Sequence, residues 1–171
     1  YFQERGGFTL LHLASLGGYS DIVKTIFKDK EIGVNEKTKQ AHSAIHLASL
    51  QDNSVVVDLL LKNKAEVVDA NQDGMSPIHV AAANGNKSVL KIIFERYIAD
   101  KREKDGIQFN KEDVTNEMLA LQDHSGKTTL HHASINGHLD VIKLIFSYGN
   151  KTSSMQDQDK RYLDLLFLMD F

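Results

Sequence analysis

Apolar residues along this chain fall into paired blocks, and the pair recurs four times. Segments 7–27, 41–61, 74–94 and 126–146 align without gaps on one template. Each opens with a small hydroxyl residue (Thr9, Ser43, Ser76, Thr128), continues with an aliphatic residue and a histidine (Leu11-His12, Ile45-His46, Ile78-His79, Leu130-His131), and places alanine two residues later (Ala14, Ala48, Ala81, Ala133). A second block follows, for example Ile22-Val23 with Ile26-Phe27 and Val141-Ile142 with Ile145-Phe146. Its i, i+1, i+4, i+5 spacing is that of a helix with one buried face. Between the blocks lies a turn signal: Gly17-Gly18, Asp52-Asn53, Asn84-Gly85 or Asn136-Gly137. The pattern predicts helix, tight turn, helix in every unit.

His12 to His46 is 34 positions, His46 to His79 is 33, and His79 to His131 is 52, one 33-residue period plus about 19 further residues. With this period and motif the sequence resembles the ankyrin-repeat family, whose signature is Thr-Pro-Leu-His-x-Ala. The nearest matches are Ser76-Pro77-Ile78-His79-Val80-Ala81 and Thr128-Thr129-Leu130-His131-His132-Ala133. Leu10 and Ala44 stand in the proline position of the first two units, and Asp52 stands where the family has an inter-helix glycine. The resemblance implies an all-α solenoid of stacked antiparallel helix pairs with β-hairpin-like fingers. A single unit cannot bury both of its apolar blocks, so neighbours must stack into one continuous core. The expected units are 6–38, 39–71, 72–122 with an insert near 99–117, and 123–155.

Tyr1-Phe2-Gln3 matches the residues left of the scissile bond in a tobacco-etch-virus protease tag, so residues 1–5 are read as a tag remnant and disordered start. Gln156-Asp157 echoes Gln122-Asp123 before the template degenerates, and 156–171 is read as a capping helix or a partial fifth repeat. The run ending at Phe171 has no polar tail, which suggests a domain cut from a longer protein.

Composition narrows the function. The 171 residues carry 20 Lys+Arg against 23 Asp+Glu, a formal charge of −3, so no basic footprint for nucleic acid is present. Cysteine is absent, which removes thiol nucleophiles and cysteine-ligated metals. No apolar run approaches the roughly 20 residues a membrane-spanning helix needs. A cytoplasmic location is expected, with the nucleus left open, and the chain is expected to be a monomer.

Eight histidines invite a metal or catalytic reading. His12, His46, His79 and His131 share one template slot, however, and rings one repeat apart stand roughly 10 Å from each other, too far to share a metal. His131 and His132, being adjacent, leave their helix on different sides. His138, at the Gly-His turn of the family, is expected to be structural, which leaves His42 and His124 as surface candidates. Nucleophile-elbow, phosphate-loop, zinc-protease and EF-hand motifs are all missing. An enzyme built on His131, His132 or Asp123 is the least favoured class; no catalytic residue, metal or cofactor is expected.

The expected activity is therefore protein–protein interaction, with a partner's peptide or helix held on the concave face. The resemblance places the variable concave positions after each finger glycine (Phe8, His42, Met75, Lys127) and at the end of each first helix. There Leu16, Leu50, Ala83 and Ile135 form an apolar column beside polar Gln51, Asn84 and Asn136. Contiguous exposed apolar surface marks interaction sites; the same residues could equally extend the core. In the insert, 99–106 is a mixed-charge run able to extend the second helix, and Asn110 caps a short helix toward Met118 and Leu119. The insert is expected to lengthen one finger, with Ile107 and Phe109 as a second contact site. The competing reading is an intramolecular regulatory domain of a larger enzyme or membrane channel, its partner a segment of its own full-length chain.

Overall fold

The computed structural model describes residues 6–28 and 32–148. Among them are four inner helices, α1 (Leu10–Leu16), α3 (Ala44–Leu50), α5 (Pro77–Ala83) and α8 (Thr129–Ile135). Each is followed by an outer helix: α2 (Ser20–Ile26), α4 (Ser54–Lys62), α6 (Lys87–Asp105) and α9 (Leu139–Tyr148). A 3-10 turn (Gly106–Gln108) and helix α7 (Lys111–Leu119) lie between α6 and α8.

A seven-residue helix is unstable alone, and each inner helix is held by a cap and by its neighbours. Thr9, Ser43, Ser76 and Thr128 form capping boxes in which the histidine three residues on takes the part usually played by Glu or Gln. The inner helices pack in the order α1, α3, α5, α8 and the outer helices in the order α2, α4, α6, α9. Ala14, Ala48, Ala81 and Ala133 are at most 2% exposed, because the short side chain lets adjacent helices approach closely. The second block supplies the rest of one continuous core, from Val23 and Ile26 through Val57, Leu60, Ile93 and Phe94 to Val141 and Ile145.

Polar ladders run along the same stack. Backbone N–H groups of Lys39, Gln72 and His124 donate to the carbonyls of Gly6, Gln40 and Asp73 on the preceding finger (3.0, 3.2 and 3.0 Å). Asn53 donates to the Ser15 and Leu16 carbonyls, Asn86 to those of Ser49 and Leu50, and His138 Nε2 to that of Ala83, so one slot caps the end of the preceding inner helix three times. The sequence places His138 in a structural role, and this bond is that role.

The fingers are closed by hairpin-like backbone bonds, from Thr38 N–H to the His42 carbonyl, Asn71 N–H to that of Met75 and Asp123 N–H to that of Lys127, and Gln122–Thr128 is the only β-bridge among the described residues. One expectation requires correction. The insert does not lengthen a finger: α6 continues to Asp105, and α7 folds back on it with Val114, Thr115 and Met118 buried. Helix continuation wins because Met118 finds a place in the common core at 0% exposure. The expected tag remnant at 1–5 and the cap at 156–171 lie outside the described residues.

Candidate functional site

Three of the template histidines, His12, His46 and His79, are locked in one tautomer by bonds at both ring nitrogens. His12 Nε2 lies 3.0 Å from the Glu36 carbonyl, His46 Nε2 3.1 Å from that of Met75, and His79 Nε2 3.0 Å from that of Leu121. A carbonyl only accepts, so Nε2 carries the proton and Nδ1 is the acceptor. At Nδ1 each ring receives the hydroxyl and the backbone N–H of its own cap residue: Thr9 at 2.8 and 3.0 Å, Ser43 at 2.8 and 3.2 Å, Ser76 at 2.8 and 3.1 Å. Protonation would desolvate a cation and break both bonds. Burial accordingly holds His46 and His79 down to about 4, and lowers His12 and His42 as well, against the opposing pull of hydrogen bonds and neighbouring carboxylates. Through Nε2, His12, His46 and His79 each tie an inner helix to a backbone carbonyl 24 to 42 residues further along the chain.

The residues of the least favoured enzyme class are also accounted for. Asp123 Oδ1 accepts the Ser125 N–H, the Ser125 hydroxyl and the Lys127 N–H, while Oδ2 lies 2.9 Å from His132 Nε2. Burial raises the carboxyl, but these bonds together outweigh it and hold it well below the usual carboxylate range. The result is a braced finger turn, with His132 edge-on to His79 at 5.5 Å between centroids. His131 Nδ1 receives the Thr128 N–H and hydroxyl at 3.2 and 2.9 Å.

The expected contact positions lie on the inner helices and the fingers. No Asp, Glu, Lys or Arg occurs in α1, α3, α5 or α8, whereas all four outer helices carry charge. The end-of-helix column is uneven. Leu50 is 39% and Ile135 54% exposed, whereas Leu16 and Ala83 are half-buried. The expected continuous stripe is thus two knobs flanking a dip, because alanine is too short to fill the position between them. Gln51, Asn84 and Asn136 are exposed beside it, and Asn84 and Asn136 spend their Nδ2 groups on the Val80 and His132 carbonyls of their own helices (2.8 and 2.9 Å). Phe8, His42, Met75 and Lys127 all sit half-buried on the fingers. His42 joins two fingers by accepting from Asn71 Nδ2 at 3.1 Å and meets His46 edge-on. His124 is exposed.

In the insert, Ile107 is fully exposed and Phe109 half-buried. The insert also makes a groove of about 560 Å3, lined by Leu61, Val67 and Val68 on one side and Arg96, Tyr97 and Lys104 on the other. It exists only because α6 continues past its unit, which template alignment does not reveal. Two of its four cations have acidic partners nearby: Lys101 pairs with Glu117 at 3.1 Å and Arg96 stands 3.9 Å from Asp58.

A stack of capped helix pairs joined by histidine and asparagine bonds is an ankyrin-type solenoid, and comparison with known proteins agrees. A family model described as ankyrin repeats in three copies matches residues 11–105, and a single ankyrin-repeat model matches 125–159. The chain belongs to the ankyrin-repeat family. Its relatives include the human transient receptor potential cation channel subfamily A member 1 (30% identical over 141 residues, 81% of this chain and 11% of the relative). Others are the Caenorhabditis elegans poly [ADP-ribose] polymerase tankyrase (30% over 158 residues, 82% and 7%) and Canis lupus familiaris inversin (30% over 143 residues, 82% and 12%). The chain therefore spans only 7 to 12% of the length of these relatives. Ankyrin repeats generally mediate protein–protein interaction, and the family matches on this chain are to repeats alone. No helix among the described residues is long and apolar enough to cross a membrane.

Proposed function

We propose that this chain is a non-catalytic binding module that holds an apolar peptide or helix of a partner protein against its inner-helix face. The observation that carries this reading is the pair of exposed apolar knobs, Leu50 and Ile135, on a face whose helices contain no charged residue. At 8–10 Å per repeat, two repeats place the knobs roughly 20 Å apart. That is the length of about 13 helical or six extended residues. Phe8, Leu16, His42, Gln51, Met75, Ala83, Asn84, Lys127 and Asn136 complete the proposed contact surface. Because neighbouring repeats fix the face in advance, a partner loses little free energy in ordering it.

A second reading, a regulatory domain contacting its own full-length chain, is favoured by one observation: each of the relatives named above is many times longer than this chain. Both readings are tested by affinity capture with the 171-residue protein, its Leu50→Lys/Ile135→Lys variant and an Ile107→Asp/Phe109→Asp variant, each checked for folding by circular dichroism. A protein retained by the parent and the insert variant but lost by the knob variant supports the inner face. Equal retention by the parent and knob variants rejects it. Retention of a segment of the same polypeptide supports the second reading.

A further inference from the structure

Charge on the proposed contact surface is confined to one end. Lys127, on the finger of unit four, is the one charged residue among the proposed contacts at neutral pH, because burial lowers the His42 ring and keeps it neutral. The Lys127 ammonium has no ion pair among the described residues. Asp123, which opens the same turn, spends Oδ1 on the Ser125 and Lys127 backbone N–H groups and Oδ2 on His132. Over units two and three the surface offers nothing to pair a buried charge, which is costly to leave alone. The complementary occupant is uncharged there and acidic over unit four.

The neutral polar groups narrow its backbone. Asn71 Oδ1 accepts the Asp73 and Met75 N–H groups at 2.9 and 3.0 Å, which leaves Nδ2 to face His42 Nε2 at 3.1 Å. An amide nitrogen only donates, so His42 Nε2 accepts and Nδ1 carries the proton, the reverse of His46. That Nδ1–H has no partner among the described residues. Asn84 and Asn136 spend Nδ2 on their own helices, and each Oδ1 is left to accept. A helical occupant uses its backbone groups internally, whereas an extended one can bring a carbonyl to His42 and N–H groups to the two asparagines. Spacing separates the extended forms. α5 packs on both α3 and α8, so the surface repeats about every 8–10 Å. A polyproline-II segment returns to the same side after three residues, about 9 Å, and a β-strand after two, about 6.6 Å.

We infer that the partner segment on the inner face is a polyproline-II-type peptide, uncharged over units two and three and acidic over unit four, and not a helix. This rests on the inner-face reading above and gives that face its ligand class. A large apolar residue of the peptide fills the dip over Ala83, between Leu50 and Ile135, and donates its N–H to Asn84 Oδ1. The acidic residue three positions away meets Lys127 and donates its N–H to Asn136 Oδ1. Neither of these two residues can be proline, while the two between them can, since proline favours the same backbone.

Two displayed random peptide libraries, one linear and one held helical by an i, i+4 side-chain link, are selected on the 171-residue protein. The expected result is enrichment of linear peptides with a large apolar residue and Asp or Glu three positions apart. In the best of them, N-methylation of either residue should weaken binding about tenfold, whereas proline at the two positions between should cost less than about threefold. Lys127→Glu should cost the same peptide about tenfold, and lysine in place of the peptide's acid should restore binding to that variant. Changing the acid to its amide reads the same pair on the unaltered protein, and circular dichroism confirms that each variant is folded. Binding by helix-held peptides alone, lost in Leu50→Lys/Ile135→Lys, overturns the inference while sparing the inner face. So does sensitivity to N-methylation at every second residue, or indifference to the charge at position 127. Peptides that bind the Leu50→Lys/Ile135→Lys variant as well as the parent reject the inner-face reading itself, as does failure of both libraries to enrich.

Discussion

Units two and three fold to the same shape from unequal sequences. Unit three has glycine at both left-handed positions, Gly74 (φ +78°) and Gly85 (φ +72°), and proline at the first helical residue. Unit two has Ala41 (φ +59°), Asp52 (φ +54°) and Ala44 at the corresponding places. A side chain in the left-handed region costs about 1–2 kcal/mol, yet Ala41 and Asp52 take it. The stack imposes these turns: Gln40 must offer its carbonyl to Gln72 N–H, and Asn53 must reach the carbonyls of Ser15 and Leu16. Conformation in unit two is set by its neighbours, whereas in unit three local preference and stacking agree.

The histidines are where the two units do not differ, and they predict the largest effect. His46 and His79 both titrate near 4 when folded and near 6.5 when unfolded. The unfolded chain therefore binds more protons between those values. Stability is full above about pH 6.5, falls as the pH drops from there to about 4, and then levels off as far as these rings are concerned. Each ring contributes on the order of 3 kcal/mol over that window. Asp123 acts in a separate range: its depressed carboxyl contributes stability that is lost only as the pH falls below about 4. Urea midpoints measured from pH 7.5 to 4 test this, and His46→Gln and His79→Gln should each remove a similar share of the slope. A flat profile, or a slope carried by one ring alone, breaks the equivalence of the two units.

Glycine in unit three is required for a second reason. A Cβ at Gly74 would overlap the His124 backbone nitrogen of the next finger, besides entering the left-handed region. Gly74→Ala is expected to cost about 3 kcal/mol and to lower the melting temperature by roughly 6–12 °C. A loss under about 1 kcal/mol would show that the finger yields as it does around Ala41.

These contrasts show what a single sequence makes legible. The period, the capping hydroxyl and the two apolar blocks are local, so helix positions follow from them. The left-handed turns at Ala41 and Asp52 are invisible, since their residues argue against the conformation and only the neighbouring units compel it. The histidine slot is legible but its partner is not, because Glu36, Met75 and Leu121 contribute carbonyls, which carry no side-chain signature. The insert misleads for a related reason. Residues 99–106 are compatible with helix or loop, and the burial of Met118, far along the chain, decides between them. In the candidate site, Leu50 and Ile135 stand out from the apolar column only through exposure, which depends on the height of the neighbours.

Converting unit two toward unit three should raise stability. Ala41→Gly removes the left-handed penalty of about 1–2 kcal/mol but adds unfolded-state freedom costing about 0.5–1 kcal/mol. The expected net gain is therefore about 0.5–1 kcal/mol, or about 2 °C in melting temperature. Asp52→Gly should gain less, because Asp52 Oδ1 also receives the Val89 N–H across 3.4 Å. If Ala41→Gly destabilises, the alanine methyl contributes packing there, and the turn is not strained.

The smallest expected effect separates the inner face from the core. Leu50 of unit two projects where unit three has Ala83, and exposed substitutions cost within about 0.5 kcal/mol. Leu50→Lys and Ile135→Lys, singly, should therefore leave the melting temperature within about 1–2 °C of the parent. A Val57→Lys control, buried at 0% exposure, should unfold its unit. If Leu50→Lys instead falls with the control, Leu50 is holding α3 against its neighbours, and the knob offered to a partner is part of the stack. If the knobs are thermally silent, any loss of partner capture in the same variants is a loss of contact and not of fold, which is the distinction on which the binding proposal turns.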